Sequence, residues 1–161
     1  MKDRMPPVSQ LKALDSKTLA QANHRLSIRT NGQGFVEITA AIQDWLKMIR
    51  AGQGLLTVFI AHTSASLTIQ ENADPAVLQD LADTLARLAP KSANYRHACE
   101  GPDDMPAHIK TMLTSVSLSI PVVDGRSALG TWQGVYVAEH RSQPHQRNVE
   151  LHFIGACHTS P

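Results

Sequence analysis

Eight histidines in 161 residues are the compositional excess of this chain. Three polar segments set histidine beside carboxylates. The first runs Ala61-His62-Thr63-Ser64-Ala65-Ser66-Leu67-Thr68-Ile69-Gln70-Glu71-Asn72. The second runs from His97 to Lys110 and holds Asp103, Asp104 and His108. The third runs from Gly130 to Arg141 and ends Glu139-His140-Arg141. Neutral imidazole and carboxylate are the ligands that suit zinc and similar divalent ions. His97, Asp103, Asp104, His108 and His140 are therefore candidate ligands of a divalent metal ion, Zn or Mg. Three or four of them converging would leave an open coordination position. Spacing alone specifies no zinc signature, since there is no HExxH and no paired CxxC. Taken singly, each histidine reads first as a hydrogen-bonded structural residue, and Asp103-Asp104 ahead of Pro106 as turn chemistry.

The same segments offer anion ligands. Thr63, Ser64 and Ser66 carry hydroxyls. Thr131 follows Gly130, where a ligand can approach the backbone. Arg141 supplies a planar fork suited to phosphate and Lys110 a point charge. Plain strand-face polarity accounts equally well for Ser64 and Ser66. Neither a Gly-rich phosphate loop nor a GxSxG nucleophile elbow is present.

These segments need elements to hold them. Leu55 to Ile60 is a short apolar, β-branched and aromatic run, predicting a strand buried on both faces. It breaks at His62 into the polar rim, and Leu67 and Ile69 then alternate in a second strand. Leu26 and Ile28 alternate upstream, Asn31-Gly32-Gln33-Gly34 is a turn, and Phe35 to Ile38 is extended, predicting a hairpin. Thr39 stands as an N-cap ahead of Ile42, Trp45, Leu46 and Ile49, an amphipathic helix stopped near Gly52. Asp74-Pro75 opens a helix over 75–88, with Leu78, Leu81, Leu85 and Leu88 as its stripe. Residues 90–110 lack periodicity and predict a functional loop. Val116, Leu118 and Ile120 form a half-buried strand, Val123-Asp124-Gly125-Arg126 a turn, and Leu129 to Ala138 a strand. The last strand covers Arg147 to Ile154, with Val149, Leu151 and Phe153 inward and His152 outward. Leu11, Leu14 and Leu19 suggest a short docked segment before all of these. The sum is a single α+β domain, mostly antiparallel, with about seven strands and two helices.

Composition narrows the partners. A formal charge of +1 gives no basic field for nucleic acid or an anionic membrane, and 4% aromatics leave little for base stacking. No apolar stretch approaches the roughly 20 residues that span a bilayer. The first ten residues hold no apolar signal core, and two isolated cysteines form no framework. The expectation is a cytoplasmic chain.

Taken together, the motifs resemble a known family. They are His62-Thr63-Ser64-Ala65-Ser66 with Gln70-Glu71-Asn72, Tyr95-Arg96-His97, Glu100-Gly101, Asp103 to Lys110, Leu129 to Gly134, and Glu139-His140-Arg141. In order and spacing they resemble the secondary thiamine-phosphate synthase enzymes, formerly filed among uncharacterised proteins. The resemblance covers roughly residues 22–156, leaving 1–21 as an extension and 157–161 as a tail. One departure is Asn72-Ala73-Asp74, where that family often has consecutive acids. The resemblance implies a β-sandwich-like core, a homotrimer, and weak thiamine-phosphate synthase activity on a phosphorylated small-molecule substrate. It carries a site onto His62, Glu71, His97, Asp103, Asp104, His108, Glu139, His140 and Arg141, with His62, Glu71, His108, Glu139 and His140 catalytic. Pyrophosphate would leave a pyrimidine methylene that the thiazole nitrogen attacks. The metal and Arg or Lys would stabilise the departing charge, and Glu71 or Glu139 the cation. Two alternatives stay open: a metal-dependent phosphoester hydrolase, or a non-enzymatic trimeric metal- or anion-binding protein.

Overall fold

Alternation builds the sheets. In β3 (Ala51–Ile60) Leu56, Val58 and Ile60 are buried, while Leu55 and Phe59 are 41% and 42% exposed. The strand expected to be buried on both faces is buried on one, because the outer face of its sheet stays open at these residues. The computed structural model describes residues 19–158. Beside β3 lie β8 (His145–Cys157) and β5 (Ser117–Val123). β1 (Leu19–Thr30) and β6 (Arg126–Ser127) complete an antiparallel sheet of order β1-β8-β3-β5-β6. A second antiparallel sheet has order β2 (Gly34–Glu37), β7 (Gln133–Glu139), β4 (Ala65–Glu71). The inward faces of the two sheets close on one core with Phe153, Leu151, Leu67 and Val137, sealed by Ile42 and Leu46.

The expected β1–β2 hairpin does not form. β1 pairs along its whole length with β8, and β2 pairs with β7, so the turn at Gly32 and Gly34 (φ 107° and 146°) carries the chain between sheets. A turn signature specifies that the chain reverses, not which strand it then meets. The Asp124-Gly125 turn does close a hairpin, β5–β6. Both residues take positive φ, 49° and 75°, as the favoured two-residue turn requires. β1 starts at Leu19, so residues 19–21 pair with β8 instead of lying in an extension. Leu11 and Leu14 lie outside the described residues.

Among the described residues there are three helices, one more than the two read from the sequence. α1 (Thr39–Met48) buries Ile42, Trp45 and Leu46 as their spacing predicts. Its N-cap is Ile38, not Thr39. The Thr39 hydroxyl instead accepts from the Val135 N–H at 2.9 Å and donates to Glu37 Oε1 at 2.8 Å. α2 (Pro75–Leu88) is capped by Asp74, which accepts from the Ala76 N–H at 2.8 Å, and Leu88 is 62% exposed. α3 (Asp104–Leu113) occupies part of the expected loop. Its buried residues are Asp104, Pro106, Ala107 and Lys110, so no hydrophobic period announces it. Among the described residues no helix is long and apolar enough to cross a membrane.

Candidate metal centre

α3 sets Asp104 and His108 one turn apart on one face, and the preceding loop brings His97 to them. The carboxylate is divided between two sets of partners. Arg141 Nη1 donates to Asp104 Oδ1, and Arg141 Nη2 donates to the Glu100 carbonyl at 2.8 Å. Oδ2 is left to the histidines, 2.8 Å from His97 Nε2 and 3.4 Å from His108 Nε2. On its other side the His108 ring meets the Thr63 carbonyl, with Nδ1 at 3.0 Å. A carbonyl only accepts, so Nδ1 carries a proton, and Nε2 is the ring atom that faces the carboxylate. The candidate ligand atoms of His97, Asp104 and His108 lie within 4.8 Å of one another. A tetrahedral ion with bonds of about 2.0–2.1 Å holds its ligand atoms about 3.3 Å apart, which the His108–Asp104 pair already matches. Thr63 and Arg141 stand where outer partners would orient His108 and Asp104 were a metal bound.

Two of the five expected ligands stand elsewhere. Asp103 accepts from the Ser142 N–H at 2.7 Å and faces Arg141. Burial works to raise its pKa, but the Ser142 hydrogen bonds and the Arg141 charge outweigh burial and hold it below the usual carboxylate range. His140 is 3% exposed and shares a 2.8 Å hydrogen bond between Nε2 and Ser66 Oγ. Burial and then the Lys110 charge drive its pKa down to about 4. His140 and Arg141 are chain neighbours, and neighbours leaving a strand point to opposite sides. Arg141 therefore reaches Asp104 while His140 turns inward.

The other expected residues divide by position. Glu139 is locked in a buried ion pair with Arg147, Nε to Oε2 at 2.7 Å and Nη2 to Oε1 at 2.6 Å. The Thr30 hydroxyl donates to Oε2 at 2.7 Å and the Arg141 N–H to Oε1 at 2.9 Å. Burial favours a raised pKa, yet these donors win and hold Glu139 below its ordinary value, leaving it no free basic lone pair. His62 Nε2 accepts from the Asn148 N–H at 2.9 Å, and burial and then Arg147 keep its pKa low. Ser64 Oγ accepts from Arg147 at 3.2 Å. Ser66 and Lys110 are buried. Glu71 and Thr131 belong to the far end of the second sheet. β4 and β7 pair Ala65 with Glu139 but Glu71 with Gln133, so the whole strand separates them from His140. Arg141, expected as an anion fork, has its guanidinium engaged by Asp103, Asp104 and Glu100.

His108 also lines a cleft of about 840 Å³ with His62, Thr63, Ser64, Phe59 and Met112. Arg147 and the Thr30–Glu139 contact were not singled out from the sequence. A signal existed: Arg147 shares the inward parity of Val149, Leu151 and Phe153, and a charge at such a position must be paired.

Residues 24–156 match the family model described as UPF0047 protein YjbQ-like. The chain belongs to the YjbQ-like UPF0047 family. A UPF0047 protein of Synechocystis sp. is 51% identical over 139 residues, 86% of this chain and 95% of that one. The YjbQ protein of Escherichia coli O157:H7 is 42% identical over 77% of this chain and 91% of its own length. A conserved hypothetical protein of Thermus thermophilus superposes with TM-score 0.71 at 39% identity, covering 80% of this chain and 97% of that one. These findings correct the expectation drawn from the motifs. The family is UPF0047, and its members carry that name, not that of a thiamine-phosphate synthase. The transferase activity and the pyrimidine–thiazole chemistry inferred from the resemblance fall away with it.

Proposed function

We propose that this YjbQ-like chain is a divalent-metal protein in which His97, Asp104 and His108 hold one zinc-like ion with a coordination position open toward the cleft. The Thr63–His108 contact carries the reading, because it occupies Nδ1 and leaves Nε2 facing an anchored carboxylate, the orientation a metal ligand needs. Three protein ligands and an open position are the arrangement of a catalytic, not a closed structural, zinc site. Bound there, the metal supplies Lewis acidity toward an oxygen of a small molecule or toward water. No Lys or Arg is among the residues lining the cleft. Its apolar and hydroxyl-bearing walls therefore favour an uncharged ligand over the phosphorylated one expected from sequence. Free Cys99 and Cys157 support a reducing, cytoplasmic setting. The open apolar positions on the outer face of the five-stranded sheet support assembly with further copies, a trimer being the expected form.

The test is elemental mass spectrometry on protein purified without a metal-affinity tag. Stoichiometric divalent metal is expected in the wild type and in His140→Gln, and its loss in His108→Ala and Asp104→Asn. A wild type that holds no metal and takes none from added zinc overturns the reading.

A further inference from the structure

At one corner of the His108 cleft, hydrogen-bond donors outnumber acceptors. The Asn148 N–H donates to His62 Nε2 at 2.9 Å, so this ring nitrogen presents its lone pair. Burial and then the Arg147 charge lower the His62 pKa below its ordinary 6.5. The ring is therefore neutral at pH 7, and its one proton sits on Nδ1. Nδ1 stands 3.5 Å from Arg147 Nη1. A guanidinium only donates, so two N–H groups face one another there and the approach is not a hydrogen bond. The other nitrogens of Arg147 are engaged, Nε and Nη2 by Glu139 and Nη2 also by Ser64. Arg147 is 4% exposed, so Nη1 is a buried donor with no acceptor among the described residues. Buried donors in folded proteins nearly always have one. Ser64 adds to the surplus. Its Oγ accepts from Arg147 at 3.2 Å, and its own proton has no acceptor among the described residues.

His62 and Ser64 line the cleft together with His108, and Arg147 stands behind them. The walls also include Phe59, Met112 and Val116, the last two 77% and 37% exposed, so apolar surface lies open beside the donors. Charge and proton count set the ligand. Glu139 neutralises Arg147 and His62 is uncharged, so the corner has no net positive charge to hold a carboxylate or a phosphate. An alcohol or a water molecule would bring a further proton to a corner already rich in them. A carbonyl oxygen brings two lone pairs and no proton.

We infer that the cleft binds an uncharged apolar carbonyl compound, its oxygen accepting from His62 Nδ1 and the Ser64 hydroxyl in front of Arg147, its hydrocarbon against Phe59, Met112 and Val116. The inference names the ligand class for the cleft of the proposed metal site and rests on that reading only in sharing the cleft, since none of these donors is a metal ligand. The test is an NMR titration of the isotope-labelled full chain, metal-loaded and chelator-stripped, with cyclohexanone, cyclohexanol and cyclohexanecarboxylate. The three probes share a ring and differ in the oxygen. Cyclohexanone is expected to bind roughly tenfold more tightly than either of the others in both samples, as two extra hydrogen bonds allow. Its carbonyl stretch is expected at lower frequency when bound. His62→Phe keeps a ring and removes the N–H, and is expected to abolish the preference. Ser64→Ala removes the second donor, is expected to reduce the preference about threefold as one hydrogen bond allows, and decides the matter if His62→Phe does not fold. Equal affinity for the three probes, tighter binding of the carboxylate, or a preference unchanged in the variants overturns the inference. A preference confined to metal-loaded protein also overturns it, because the metal would then hold the oxygen. A preference kept after stripping supports it, whatever metal the wild type carries.

Discussion

His140 makes the stability of this chain depend on acidity in a window that can be calculated. Its ring is buried and its pKa falls from the ordinary 6.5 to about 4. Between those two values the unfolded chain binds a proton at this residue and the folded chain does not. Stability from this residue is therefore fully present above pH 6.5 and is lost as pH falls toward 4. One proton over one pH unit is worth about 1.4 kcal/mol, so the whole window amounts to ~3 kcal/mol. In a domain of this size that corresponds to roughly 6–12 °C in melting temperature.

The perturbation is His140→Gln, which keeps a polar group near Ser66 and removes the titration. Urea unfolding of both proteins at half-unit steps from pH 7.5 to pH 4 measures the effect. The variant starts lower at neutral pH, by about 1–3 kcal/mol if the Ser66 contact is imperfectly replaced. The diagnostic quantity is the difference between the two curves. It is expected to shift by ~3 kcal/mol in favour of the variant on going from pH 7 to pH 4. Lys110→Met should move the acid end of the window upward, since the Lys110 charge is the second cause of the low pKa after burial. A difference curve that stays flat within about 0.5 kcal/mol over the window would refute the reasoning. His140 would then be gaining its proton in the folded state as easily as in the unfolded one.

Two further outcomes follow from the same geometry. Arg147→Met leaves Glu139 ionised and 2% exposed without its main partner, and should cost about 3–5 kcal/mol at pH 7 by chemical denaturation. Glu139 has a depressed pKa, so this loss should be complete above its ordinary value of 4.5 and shrink as pH falls below it; a cost that does not shrink in acid would mean the change acts through packing. Leu55, Phe59, Val123 and Ile154 are exposed on the outer face of the five-stranded sheet, and sedimentation velocity at micromolar concentration should show association that Leu55→Asp with Phe59→Asp abolishes. A wild-type monomer at that concentration would reject the assembly.

Much of the scaffold is legible in local patterns. Val149, Leu151 and Phe153 alternate in the sequence and point inward in β8, and Asp74-Pro75 opens α2 where capping chemistry says it must. Ile42, Trp45 and Leu46 announce the buried face of α1. The candidate site is half legible: residue types select five candidate ligands, and the structure brings three of them within reach of one another. These features depend on interactions within a turn or two of the chain, which composition and period record directly.

What the tertiary structure alone decided involves contacts between distant residues or polar buried faces. Only packing chooses β8 and not β2 as the partner of β1, because a turn fixes reversal and leaves pairing open. α3 stayed hidden because the residues it buries include Asp104 and Lys110, which carry no hydrophobic signal. His140 and Arg141 looked interchangeable as site residues until opposite orientations sent one to Ser66 and the other to Asp104. The contact that orients the His108 ring comes from the backbone carbonyl of Thr63, 45 residues away. No side-chain pattern can encode such a contact, since every residue carries the same carbonyl and only the fold determines which one a ring meets.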